Sequence, residues 1–112
     1  MKLLPMSIVV LSLLTASGST LAASDRMQDG RDAYRTTCAS CHEDGGKEAP
    51  QTNNAQDWAG RSSLWQAVLF EHAEKGYLKM PAKGGNEAAS EYDVDAAAEY
   101  MLTITHPDMP RD

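Results

Sequence analysis

Cys38 and Cys41 are the only cysteines of the chain, three residues apart, and His42 follows the second directly. Cys-x-x-Cys by itself is compatible with three chemistries. A zinc site needs two further ligands, usually from a second paired motif, and the other histidines, His72 and His106, stand alone. A thioredoxin-like redox pair needs a βαβ setting, and no strand pattern here supplies one. A plain disulfide is the third reading, and it closes a loop too small to stabilise a chain much. The adjacent histidine favours a fourth. Residues three and four apart on a helical turn share a face, so the two thiols and the imidazole project together. The thiols can then add across the two vinyl groups of one haem edge, with the imidazole beneath the iron, which is the pattern of covalent c-type haem attachment. One haem c, fixed through Cys38 and Cys41, is the expected cofactor, and the disulfide is its alternative.

Iron held by His42 has a sixth position to fill. In electron carriers the pairing of histidine with methionine raises the reduction potential. Met27 and Met101 fall on helical stripes and read as packing, and Met109 lies where chain ends fray. Met80 sits in a loop, braced by Pro81 and followed by Ala82-Lys83-Gly84-Gly85. It is the expected second metal ligand. His72 is the rival, but it stands mid-helix between Glu71 and Glu74 and reads as a surface residue. His42 also needs an acceptor for its other ring nitrogen, which fixes the tautomer and strengthens the ligand. A carbonyl near the Pro50 turn is the candidate, and an ordinary turn proline is the competing reading of Pro50.

The elements that must position these residues are helical. Behind Ser24-Asp25, either of which can cap, Met27, Gly30, Arg31, Tyr34 and Cys38 recur at steps of three and four. Gly30 costs such a helix about 1 kcal/mol against alanine, which suggests close approach of another backbone. A second helix is expected over residues 64–75, with Ser63-x-x-Gln66 as a capping box and Gly76 as the stop. A third is expected over residues 91–103, capped by Ser90 and facing inward through Val94, Ala97, Ala98 and Met101. Residues 43–62 and 76–89 form long loops, unusual in a compact domain unless they do a job. Wrapping a large ligand is such a job.

The 112 residues carry a net charge of −6, which argues against a general affinity for nucleic acid or anionic lipid. Met1-Lys2, an apolar run too short to span a bilayer, and a small-residue stretch have the three-part shape of a secretory signal peptide. Cleavage is expected after Ala22, leaving residues 23–112 as one monohaem domain in the periplasm with no stable membrane insertion. An uncleaved anchor is the alternative. A chain of this size holds only a marginal core, and a flat apolar macrocycle would complete it.

Gly30-x-x-x-Tyr34-x-x-x-Cys38-x-x-Cys41-His42, a loop Met80 and a final helix ending Ala-Ala-Glu-Tyr-Met-Leu resemble a class I c-type cytochrome. Ala49-Pro50, Asp57-Trp58, Arg61 and Met80-Pro81-Ala82-Lys83-Gly84-Gly85 resemble the small bacterial cytochromes of the c-five type within that class. The resemblance covers residues 27–104. It implies an all-α fold of three main helices and long loops wrapped around one covalent haem, and an electron carrier rather than an enzyme. It implies that Gly30 and Tyr34 meet Tyr100 where the first and last helices cross. It also implies that Pro50 offers its carbonyl to His42, and that Trp58 or Arg61 approaches the haem propionates. Core packing for Trp58 and a solvated charge for Arg61 are the plain alternatives. Several c-five relatives carry an extra cysteine pair near the methionine loop, a staple this chain lacks over residues 85–90. The implied partners are redox proteins, donors and acceptors, met transiently; the residues leave the oligomeric state open, with a monomer favoured. Lys47, Lys79 and Lys83 would flank the haem-contacting loops, with Glu87, Glu91, Asp93, Asp95 and Glu99 on the far helix, which suggests a charge dipole that Glu43, Asp44 and Glu48 blur.

Overall fold

The computed structural model describes residues 2–4, 18–59 and 66–108, the side chains of 18–24 excepted. Helix α1 spans Gly18–Ala33. It continues without a break into a π-helical turn, Tyr34–Cys38, and a last turn, α2, Ala39–His42. It therefore begins upstream of the expected cap at Ser24-Asp25. Leu21, Ala22 and Ala23 are good helix formers and nothing there breaks the ladder. The expected cleavage point lies inside this helix. A short α3, Ala55–Trp58, follows the Pro50 turn. α4 spans Gln66–Lys75 and α5 spans Glu91–Thr105. Among the described residues there is no strand, only one isolated antiparallel bridge between Tyr77 and Met80. The expected start of α4, with Ser63, Leu64 and Trp65, lies outside the described residues, as do Arg61 and Met109.

The helix ends follow from capping chemistry. Ser90 Oγ accepts from the Asp93 N–H at 3.0 Å, which satisfies one orphan donor of the first turn of α5. α4 stops where Gly76 turns to φ +86° and donates its N–H to the His72 carbonyl at 2.9 Å. α5 runs two residues beyond the expected Thr103, with Pro107 just past its end.

The core is built where α1 crosses α5. Gly30 is buried, and a Cβ there would stand 2.1 Å from the Ala96 carbonyl oxygen and 3.2 Å from Tyr100 Cβ. The backbones meet because neither glycine nor alanine keeps them apart. Tyr34, Ala97 and Met101 form the buried cluster, with Cys38, Ala39, Trp58 and Tyr100 packed against it. The Tyr34 and Tyr100 rings lie 5.4 Å apart and tilted. Polar contacts close the crossing: Arg26 pairs with Glu99 at 2.5 Å, and the Tyr92 hydroxyl donates to Asp29 at 2.8 Å. Arg31, placed on the inward stripe by its spacing, is exposed instead. Ala96, not part of the expected stripe of α5, is buried because it faces Gly30, while Ala98 is only half-buried.

Candidate functional site

The π-helical turn delivers Cys38 to the site. Its wider ladder is closed by the Ala39 N–H on the Tyr34 carbonyl, and such single turns recur at functional sites. From Cys38 onward the α2 turn restores ordinary spacing, so Cys38, Cys41 and His42 occupy one turn. Both sulfurs are half-buried, and they are not joined to each other as a disulfide.

His42 is buried, and its Nδ1 lies 2.8 Å from the Pro50 carbonyl oxygen. A carbonyl can only accept, so Nδ1 carries the proton and Nε2 keeps the lone pair. The turn that offers this carbonyl is closed on itself. Asn54 caps α3 by accepting from the Asp57 N–H at 3.3 Å, and Asp57 accepts from the Gln51 N–H at 3.1 Å. The Trp58 indole N–H donates to the Gln51 carbonyl at 2.9 Å, and its ring stacks beside His42 at 5.9 Å. Trp58 thus spends its N–H on the Pro50 turn and packs against the core cluster. Thr52 donates its N–H to the His42 carbonyl at 2.7 Å, and Asn53 donates its own to Thr105 Oγ1 at 3.0 Å. These bonds join the turn to both α2 and α5.

Met80 closes a four-residue turn. The Tyr77 N–H donates to the Met80 carbonyl at 3.0 Å, and the Met80 N–H donates back to the Tyr77 carbonyl at 2.9 Å. Lys83, Gly84 and Gly85 follow with φ of +55°, +62° and +84°. That reversal carries the chain to Thr37: a Cβ on Gly84 would lie 3.1 Å from the Thr37 carbonyl oxygen, and Asn86 Nδ2 donates to Thr37 Oγ1 at 3.1 Å. The methionine loop is thereby fastened one residue from Cys38. In place of a cysteine staple, Lys83 Nζ reaches the Ala89 carbonyl at 2.9 Å, Ala89 donates to the Asn86 carbonyl at 3.0 Å, and Ala89 is buried.

Two expectations change. The lysine rim is largely committed: Lys79 pairs with Glu48 at 2.6 Å across the loops, and Lys83 is bound to a carbonyl. His72 is not a solvated residue among glutamates. It is half-buried, its ring stacked on Tyr77 at 3.8 Å and 7°. Only the chain reversal at Gly76 brings these rings together, and helical periodicity does not reach across it.

The donor set fits a covalently held haem. Two cysteine sulfurs and an imidazole with a fixed tautomer share one turn, and a loop methionine is tied to the same segment. The apolar side chains Val68, Leu69 and Phe70 of α4 are only half-buried, and the most deeply buried described side chains, at 1 % exposure, are the small Ala96 and Ala97. Such a protein interior has room for a large apolar group.

The chain matches the family described as "Cytochrome C oxidase, cbb3-type, subunit III" over residues 25–101. It is 34% identical over 84 residues to cytochrome c-555 of Prosthecochloris aestuarii, covering 68% of this chain and 85% of the relative. It is 41% identical over 80 residues to cytochrome c-551 of Halorhodospira halophila, covering 67% of this chain and 97% of the relative. Cytochrome c6 of Microcystis aeruginosa is 37% identical over 79 residues, with 66% of this chain and 91% of the relative covered. A solved structure titled "Crystal structure of electron transfer complex of nitrite reductase with cytochrome c" superposes with a TM-score of 0.62 at 34% identity, over 69% of this chain and 94% of the matched one. The chain belongs to the cytochrome c family, with the class I fold and the covalent haem c that the family carries. The relatives named here bear the designations c-555, c-551 and c6.

Proposed function

We propose that this protein is a periplasmic carrier of single electrons, with haem iron ligated by His42 and Met80 and no bond of a substrate made or broken. The observation that carries the reading is the His42–Pro50 bond at 2.8 Å, which holds the proton on Nδ1 and leaves Nε2 with its lone pair. When bound, haem c supplies a one-electron iron couple. Cys38 and Cys41 would hold it through two thioethers. Pro50 keeps His42 in one tautomer and makes it a stronger ligand. Met80, in a turn closed by two backbone bonds and fastened to Thr37, would fill the other axial position and leave none for oxygen or peroxide. Small cytochromes among the relatives support the carrier reading. The leader-like residues 1–22 support export, and no helix among the described residues is long and apolar enough to cross a membrane. The nitrite reductase complex named for the matched structure supports redox proteins as partners here, met through small transient interfaces.

The test is the ferric spectrum of protein purified from a periplasmic fraction. Met80 ligation predicts a weak sulfur-to-iron charge-transfer band that Met80→Ala abolishes, with Met80→Ala gaining carbon monoxide binding in the ferrous state. Carbon monoxide binding by the unaltered ferrous protein at neutral pH would overturn the ligand assignment.

A further inference from the structure

His72 lies outside the site as described, yet it touches the segment that carries Met80. Its imidazole stacks face to face on Tyr77, with ring centroids 3.8 Å apart and planes 7° from parallel. Tyr77 is the residue whose N–H and carbonyl both bond to Met80, at 3.0 and 2.9 Å. Between the two rings the chain reverses at Gly76, where φ is +86° and a Cβ would lie 2.9 Å from the Ala82 nitrogen and 3.0 Å from the Met80 carbonyl oxygen. The turn also carries Leu78 at φ +52°, a left-handed conformation unusual for leucine. Leu78 is 88% exposed, and Tyr77 is itself half exposed. The tip of this turn therefore has little packing of its own to hold it. On the α4 side the turn is held by the Gly76 N–H to His72 carbonyl bond at 2.9 Å, a backbone contact that any residue at 72 would keep, by packing of Ala82–Gly85 on α4, and by the ring stack, which needs the imidazole.

We propose that His72 is a positioning residue for Met80, acting through the Tyr77 ring to keep the methionine turn closed against α4. This rests on Met80 as the axial ligand. Stacked aromatic pairs contribute about 1 kcal/mol beyond their area, so losing this one raises the population of the open, methionine-off turn about five-fold. Any small ligand that competes with the methionine for ferric iron reads that population directly.

The experiment uses the haem-loaded full chain with cyanide as the probe. His72→Ala and Tyr77→Leu are each compared with the unaltered protein and with His72→Phe, which keeps a flat ring in place. The expected result is an apparent cyanide affinity about five-fold higher in both stack-breaking variants. Their sulfur-to-iron band also melts at lower temperature, while His72→Phe returns both readouts toward the unaltered values. Far-UV circular dichroism and haem content separate loss of the turn from loss of the fold. Should His72→Ala fail to fold, Tyr77→Leu and His72→Phe still decide the question. An intact band with unchanged cyanide affinity in the stack-breaking variants would overturn the positioning role alone. An unaltered protein with no sulfur-to-iron band would remove the ligand reading and the positioning role together.

Discussion

Gly30→Ala sets a gain in helix propensity against a clash, and the structure says which wins. Alanine improves a helix interior by about 1 kcal/mol over glycine. At this position the new methyl would stand 2.1 Å from the Ala96 carbonyl oxygen and 2.7 Å from its carbon, where real contacts essentially never fall below 3.0 Å. The obstructing atoms are backbone, so no rotamer change relieves them. α1 and α5 must move apart by about 1 Å, loosening Tyr34, Ala97 and Met101. Overpacking of this kind destabilises by about 1–3 kcal/mol; a backbone obstacle belongs at or beyond the upper end, leaving a net loss of about 2 kcal/mol. With about 4–8 °C per kcal/mol for a domain of this size, Tm falls by about 10 °C. The assay is thermal unfolding of the haem-loaded protein followed at 222 nm and in the Soret region. A Tm equal to or above that of the unaltered protein would refute the close crossing, because the propensity gain would then be acting alone.

Three further outcomes follow from single contacts. Trp58→Phe keeps a ring beside His42 but leaves the Gln51 carbonyl without its 2.9 Å donor; a loss of about 1 kcal/mol is expected in a denaturant titration, with the covalent haem retained. Ser90→Ala removes the cap on the Asp93 N–H and should lower stability by about 1 kcal/mol without altering the ferric spectrum. Tyr34, raised from 10.0 to about 12 by burial and then by its bond to Glu43, favours the neutral phenol in the fold. Its contribution is full below pH 10 and declines as pH rises toward 12. Tyr34→Phe should flatten that segment of the Tm-against-pH curve, measured as the difference between the two proteins.

The chemistry was legible in the sequence wherever it depended on local spacing. Cys38, Cys41 and His42 sit on one turn because three- and four-residue steps share a helical face, and Ser90 caps α5 because serine competes well for an orphan N–H. The cost of Gly30 in a helix pointed to close approach of another backbone, and the family resemblance implied that the last helix supplies it. What the pattern could not convey were features set by bonds between distant segments. The π-helical turn at Tyr34–Cys38 adds a residue to the ladder without a compositional signal. The Asn86–Thr37 bond, 49 residues apart in sequence, and the Lys79–Glu48 pair depend on how the loops fold back. His72 read as a surface residue because its neighbours along the helix are acidic, and its ring partner lies beyond a reversal at Gly76.

The central claim is that one iron centre, fixed through Cys38 and Cys41, exchanges one electron at a time. A spectroelectrochemical titration of the purified protein tests it most directly. The expected result is a single Soret-monitored transition in which the ratio of oxidised to reduced protein changes tenfold per about 59 mV. A protein lacking haem absorbance whose couple changes tenfold per about 30 mV, the slope of a two-electron thiol–disulfide pair, would contradict it.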